Sequence, residues 1–573
     1  MVAAVLVNAG GLFIAILEPD GALYATIAKT IAQTGDFLNL RVDGKDWLDK
    51  PHFPFWMAAL SFRLFGINSF AYKLPALLFW GLGAWYTYRF ALAVYGRPVA
   101  RLAALIYVSA AHLVISNNDV RAEPYLTGLI IGSVYHFYKT SRLSGREGVS
   151  PSTIGLASRL HLVAGSLLAG CAVMTKGPFV LITISGGFIT DWILTKDWRQ
   201  FRNPCWWIAL ALTTLFITPE LYCLYIQFDL HPEKLVFGRT GVSGIRFFFW
   251  DSQFGRFFNT GPIRGSGDPF FYLHTLLWAF LPWSLLCYAA IIQKCRNWKK
   301  GRAVPGNGIS AGAAILSLLV FSLSRFQLPH YLNILFPFFS VITAAWLYGL
   351  YQRNGQKIVA GVQNGLALLL PLLAIFLCWL FHSGSWPFTL GVLLVFSATP
   401  FLLFRGGELP SAIARSYWVA LLTYGFINFW LYPGILRYQA GTEAGRYVSG
   451  LPEEAYRNNR DYGGAQPSGE HRLMSPPTVY MLQEGPVNYS FEFYCRAPIQ
   501  RIPGDSLSSV VRSGKALFFL PSASLAILSQ KGYKWQELKG FPNFHISQLT
   551  GSFLDYRTRP AVLEWYSVAL VFK

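Results

Sequence analysis

Residues 357–381 read KIVAGVQNGLALLLPLLAIFLCWLF, and after Lys357 no charged side chain interrupts them. A helix needs about 17–25 mostly apolar residues to cross the hydrocarbon of a bilayer. The same kind of run recurs along the chain. Thirteen spans are predicted, at 1–17, 72–95, 98–117, 123–140, 159–175, 177–195, 204–226, 269–293, 309–324, 331–351, 357–381, 386–404 and 414–436. The first has no charge from Met1 to Leu17 and lacks the basic start of a secretory leader, so it is read as a span.

Composition agrees. Of 573 residues, 53% are hydrophobic, 16% aromatic and only 13% charged. A soluble chain carries about 25% charged residues, so a soluble fold of this size would lack polar surface. Disorder of the bulk is excluded by the same hydrophobicity. The net charge is +20, from 48 Lys and Arg against 28 Asp and Glu. In a soluble protein that excess would suggest nucleic acid. Here the loops account for it, and no nucleic-acid partner is predicted. The seven cysteines are scattered without a CxxC pair, and read as small buried residues rather than a disulfide frame or metal site.

The loops set the orientation. Every second connection is short and basic: Arg97 and Arg101; Lys139, Arg142, Arg146 and Arg159; Lys196, Arg199 and Arg202; Lys294, Arg296, Lys299, Lys300 and Arg302; Arg353 and Lys357; Arg405 and Arg415. Lys and Arg mark cytoplasmic loops. The N-terminus is therefore expected inside, and two long loops, 18–71 and 227–268, outside. An odd number of spans puts the C-terminus outside as well. Residues 437–573 change character, with polar turns such as Asn458 to Asp461 and Gly463-Gly464. Short apolar runs at Val479 to Leu482, Ala516 to Leu520 and Val568 to Phe572 read as strands. Ser506 to Ser513 and Ser522 to Lys531 read as helices between them. The fold class is thus a polytopic α-helical membrane protein, residues 1–436, with a C-terminal soluble α/β domain, residues 437–573.

The most informative loop follows the first span and begins Glu18-Pro19-Asp20-Gly21-Ala22-Leu23-Tyr24. Carboxylates beside a membrane are costly and usually face a cavity. Apolar residues at helical spacing from Gly21 to Gln33, and again from Phe53 to Phe65, suggest helices lying along the interface. Between them lies Asp46-Trp47-Leu48-Asp49-Lys50-Pro51-His52, an acid, a base and a proline beside aromatic residues. The blander reading is a helix cap at Asp20 and interfacial anchoring by Trp47 and Lys50.

These residues carry a resemblance. The loop resembles the first outer loop of GT-C glycosyltransferases, above all the bacterial lipid A aminoarabinose transferases and their relatives, which include protein O-mannosyltransferases. Asp20 falls on that family's first acid, Tyr24 on its tyrosine, and Asp49-Lys50-Pro51 on its Glu-Lys-Pro. Val120 to Thr127, Thr175-Lys176-Gly177-Pro178, Gln253 to Phe257, and Leu328-Pro329-His330-Tyr331-Leu332 followed by Pro337 resemble further family segments in the same order. The resemblance covers the span pattern to about residue 436, and the family's thirteen spans with an outer C-terminal domain match the count.

The resemblance implies a sugar on a polyprenyl phosphate as donor, a lipid, glycan or protein acceptor, inversion at the anomeric carbon, and chemistry at the outer face of the inner membrane. It makes Asp20 the base, with Glu18 the alternative if the register slips by two, and Glu123 a second catalytic acid beside Arg121. Lys50, Lys176, Arg256 and Arg325 become the cations for the donor phosphate, with Asp49, Tyr24 and Tyr331 around the phosphate or sugar. Loop 227–268, rich in glycine and aromatics, reads as a lid. Two departures stand out. Family members that bind a divalent metal carry Glu at the Asp49 position and adjacent histidines in the second outer loop, whereas Gly261 to Pro269 has none, so no metal and no other cofactor are predicted. Leu23 stands where the family often has Arg. Membrane lipids are the remaining partners, and a monomer is expected. A lipid or sugar-lipid flippase is the alternative, but the sequence has no internal repeat and its outer acids gather at one face.

Overall fold

The computed structural model describes residues 1–144, 155–300, 306–352, 356–451, 478–511 and 514–573. Arg146, Arg302, Arg353 and the turns at Asn458 to Asp461 and Gly463-Gly464 lie outside them. The chain divides into two compact units.

The first unit comprises Met1–Phe13, Thr30–Ile375 and Gly391–Asn428, and is almost wholly helical. The interfacial helix expected near 53–65 is Phe53–Phe65. Expected spans at 72–95, 123–140, 159–175 and 177–195 are the helices Ser69–Tyr95, Glu123–Ser144, Leu156–Lys176 and Val180–Thr195. They approach closely through small residues: a Cβ on Gly128 would collide with the Phe79 carbonyl oxygen of the neighbouring helix. Small residues at crossings are how membrane helices gain contact where lipid is as apolar as the protein.

Among the described residues, six helices are long and apolar enough to cross a membrane. A seventh appears if the pair Arg97–Val108 and Ala111–Asn118, bent by 49°, is one span. The thirteen expected spans differ from these for physical reasons. Val2–Phe13, Val180–Thr195 and Gly308–Leu323 are apolar but short. The run 269–293 is split into Phe271–Ala279 and Ser284–Lys299, because Pro282 has no amide proton to continue the ladder. At the break the Leu281 carbonyl accepts from the Ala111 amide, 3.1 Å, and from the Tyr424 hydroxyl, 2.9 Å. The same hydroxyl reaches the Ser109 carbonyl, 3.1 Å, at the break of the bent pair. Two broken helices thus satisfy each other's backbone, which bilayer hydrocarbon could not do.

The second unit comprises Ile14–Lys29, Phe376–Leu390 and Phe429–Lys573. The chain's first strands, β1 (Arg41–Val42) and β2 (Lys45–Asp46), form a small hairpin in the first unit. The second unit's sheet has five: β3 (Val479–Leu482), β4 (Ile499–Ile502), β5 (Ala516–Pro521), β6 (Lys534–Asn543) and β7 (Glu564–Phe572), in the order β4-β3-β5-β7-β6. β3 runs parallel to β4 and β5, and β7 runs antiparallel to β5 and β6. The apolar run of β5 is covered on both faces. Leu517 and Phe519 join one core with Val479, Phe541 and Tyr566, while Phe518 and Leu520 join the other with Leu525 and Leu528. Alternation of side chains along a strand divides them so. The expected helices at 506–513 and 522–531 are Leu507–Val511 and Ser522–Gln530, with Arg512 and Ser513 outside the described residues.

Candidate functional site

The Asp49-Lys50-Pro51 segment is held from both sides. Ahead of it, the Gln227 amide donates to the Leu40 carbonyl and to Asp46, both 2.9 Å, and accepts from the Leu40 amide, 3.1 Å. Lys234 pairs with Asp46 at 3.2 Å. Burial alone would raise the Asp46 carboxyl, but the bonds from Gln227 and Lys234 hold it below the usual range. Behind the segment, buried His52 donates its amide to Glu220, 2.9 Å. Its ring Nδ1 lies 3.1 Å from Glu220 and its Nε2 3.1 Å from the Leu38 carbonyl oxygen. Glu220 is fully buried on the helix Thr218–Leu224, so it clamps the start of helix Phe53–Phe65.

So held, the Asp49 carboxylate meets two cations. One oxygen accepts from Lys50 and the other from Arg256. Burial pushes the carboxyl up, but Lys50 and Arg256 together outweigh it and hold it below the ordinary range. Arg256 also lies over the Phe326 ring, 5.4 Å from its centroid. It follows the helical stretch Gly244–Gly255, so part of loop 227–268 is regular structure.

Lys176 ends the helix Leu156–Lys176 and ion-pairs with Glu123, the first residue of the helix Glu123–Ser144. Its ammonium sits 3.7 Å from the centroid of the Tyr331 ring, and His330 Nε2 is 3.8 Å from Glu123. Glu123 is buried, and its second oxygen has no hydrogen-bond partner among the described residues. Gly177 takes φ +106° in the turn after Lys176, and a Cβ there would collide with the Gln253 amide. The turn therefore admits only glycine.

One cavity of about 990 Å³ joins these groups. Lys50, Lys176 and Arg256 line it beside Asp49, Glu220 and Tyr331, and Phe179, Phe247, Phe248, Phe257, Phe321 and Phe326 wall it. Glu123 reaches it through Lys176. Arg121 is not among the lining residues and pairs instead with Asp119, 2.9 Å. Arg325 is exposed and is not among them either. Glu220 is a site residue that sequence reasoning misses. Its signal is a lone acid inside the apolar run 204–226.

The second unit holds the remaining acids. Asp20 opens the helix Asp20–Thr34, and Tyr24 is buried one turn later. The Glu18 amide donates to Gln439, 3.0 Å, and its carboxylate accepts from the Ser490 amide, 2.9 Å, and hydroxyl, 2.6 Å. Burial raises the Glu18 carboxyl, and the Ser490 bonds only oppose it in part. Lys29 on the same helix donates to the carbonyls of Glu492, Phe493 and Cys495, at 2.6–3.0 Å, closing the end of helix Tyr489–Tyr494.

A divalent metal does not fit the first cavity's donors. Both Asp49 oxygens are on cations, and among the described residues no three His, Cys, Asp or Glu side chains come together.

Residues 49–223 match a family model described as dolichyl-phosphate-mannose-protein mannosyltransferase. The chain is 24% identical over 366 residues to the undecaprenyl phosphate-alpha-4-amino-4-deoxy-L-arabinose arabinosyl transferase of Edwardsiella ictaluri, covering 62% of this chain and 61% of that protein. Its counterpart in Pseudomonas paraeruginosa is 28% identical over 359 residues, covering 61% of this chain and 60% of that one. The chain thus covers about three fifths of the length of these curated relatives. Among solved structures, ArnT from Cupriavidus metallidurans bound to undecaprenyl phosphate superposes with a TM-score of 0.72 at 17% identity, over 100% of this chain and 96% of that one. At that identity the likeness shows the fold alone, that of a polytopic helical membrane protein like the solved ArnT.

Proposed function

We propose that this protein is an integral-membrane inverting glycosyltransferase that moves a sugar from a polyprenyl phosphate to a lipid, glycan or protein acceptor. The observation that carries this reading is the first cavity, where three cations meet a wall of phenylalanines. An amphiphile with an anionic head matches both halves. The names of the relatives, which act on undecaprenyl-phosphate sugars, point the same way.

The step divides as follows. The acceptor hydroxyl attacks the anomeric carbon from the face opposite the lipid phosphate, and Asp20 takes its proton. The bond between that carbon and the phosphate oxygen breaks, and the phosphate leaves with the electron pair. Lys50, Lys176 and Arg256 meet the charge that develops there. Asp49 orients Lys50 and Arg256, Glu123 orients Lys176, and Tyr331 keeps that ammonium in place. Tyr24 steadies the sugar. Arg121 and Arg325 serve at the rim, through headgroups or the acceptor. Glu18 is the alternative base, with one of its oxygens on Ser490. The reading includes thirteen spans, a cytoplasmic N-terminus, residues 437–573 outside the inner membrane, and a monomer.

Native mass spectrometry with undecaprenyl phosphate tests the donor half. The wild type should hold one lipid, and Lys50→Met with Arg256→Met should lose it. Equal binding of undecaprenol, which lacks the phosphate, would overturn the assignment.

A further inference from the structure

The second unit has a cavity of its own, of about 1040 Å³ with its open mouth included. Its lining differs from the first in lacking Lys and Arg among the described residues. Glu18 and Glu564 supply two carboxylates, and Asn543 and His545 add polar groups that donate and accept. Phe544 and Tyr566, each stacked on a second ring, Phe553 and Phe519, add aromatic carbon to the lining, and no Lys or Arg lines the cavity among the described residues. Phosphate, sulfate and uronate groups find amide and imidazole donors there but no Lys or Arg, and they meet two acids. Hydroxyls and amines find acceptors, and the carbon face of a pyranose ring finds aromatic surface.

Chain geometry adds a second reason. Glu18 and Pro19 line the cavity, and Asp20 follows them directly. A ligand seated against Glu18 lies two residues along the chain from the proposed base, which is not itself among the lining residues. We propose that this cavity seats the acceptor's sugar, and that it takes a neutral or amine-bearing carbohydrate rather than an anionic one. The word acceptor rests on the reading of Asp20 as base. The carbohydrate site stands on the lining alone.

The lining also divides the work. The Glu18 carboxylate is fixed by Ser490, so it presents a preset acceptor. Glu564 is exposed at the start of β7, on the rim, and Val562 precedes it by two residues. Both can be changed without entering either sheet core.

The test uses the full chain in detergent, with methyl glucoside, methyl glucosaminide and methyl glucuronide as probes, read by saturation-transfer NMR. The first two should bind and the glucuronide should not. Glu564→Lys should weaken the glucosaminide by about tenfold or more, through like-charge repulsion. Val562→Trp, which fills the cavity without changing its charge, should weaken both bound glycosides. Binding of the glucuronide as tight as the others would overturn the proposal. So would ethanolamine matching the glucosaminide, because two acids alone would then explain the site. So would unaltered binding in both variants. Undecaprenyl phosphate binding should be the same in wild type and Glu564→Lys. Its failure in the wild type would count against the transferase reading, while glycoside binding decides this one.

Discussion

Two cavities differ in charge: the first sets three cations against two lining carboxylates, and the second has two carboxylates and no Lys or Arg among the described residues. The first gathers Lys50, Lys176 and Arg256 against phenylalanine walls, and the second gathers Glu18 and Glu564 with amides and rings. The difference matches the two partners of the proposed glycosyl transfer. A leaving phosphate gains negative charge and needs cations fixed in advance. An acceptor hydroxyl loses a proton and needs carboxylates. The cations of the first cavity are themselves held by acids, Asp49 and Glu123, so they are ordered before any lipid arrives.

The contrast can be broken at several points. The largest expected effect is on the proton. Asp20→Asn should lower transfer by about 10²–10⁴, the usual contribution of general base catalysis. Undecaprenyl phosphate binding should be retained in the same variant, and its loss would place Asp20 on the donor instead. Next is the buried pair. Lys176→Met strands Glu123, and loss of one partner of a buried ion pair costs about 3–5 kcal/mol. Thermal unfolding in detergent should show that loss, and adding Glu123→Leu should restore most of it. If the single variant unfolds like the wild type, the pair is not the brace described here.

Smaller effects separate the two cavities by pH. Asp49 is held below the ordinary range by Lys50 and Arg256, after burial's opposing push. Its stabilisation is therefore present above the unfolded value of about 3.9 and is lost as pH falls through the lower folded value. Glu18 is raised by burial. Its contribution is therefore favourable below the unfolded value of about 4.3 and is lost as pH rises through the higher folded value. Unfolding scans from acid to neutral pH should show Glu18→Gln gaining on the wild type as pH rises. Asp49→Asn should show the reverse, its deficit shrinking toward acid. Parallel curves for both variants would contradict the opposed environments.

Much of this is legible in sequence because it is periodic or uninterrupted. Phe53–Phe65 and Lys357–Phe381 stand as their apolar patterns predict. β3, β5 and β7 are apolar runs between turns. β4 and β6 escape the pattern, and they are the two edges of the sheet. Edge strands carry charge that discourages further pairing, so Arg501 and the run Lys534 to Lys539 hide them. The breaks at Ser109 and Leu281 escape it too, since their repair by Tyr424 joins residues far apart in sequence.

The site shows the same division. Asp49, Lys50, Lys176, Arg256 and Tyr331 fall in motifs, and the structure brings them around one cavity. Arg325 and Arg121 stand out in sequence as outward cations, but whether a side chain lines a cavity depends on neighbours that no local motif records. Glu220 reads as an oddity in a span until His52 is seen against it. The second cavity draws on residues near 18, 488, 545 and 564, and no contiguous stretch announces it.

The most direct test of the account is transfer itself. Purified full-length protein should be given a panel of synthetic undecaprenyl-phosphate sugars with a methyl glycoside acceptor, and the products read by mass spectrometry. A new glycosidic bond and free undecaprenyl phosphate are expected in equal amounts for at least one sugar. Tight binding of undecaprenyl phosphate with no sugar transferred from any donor would contradict it.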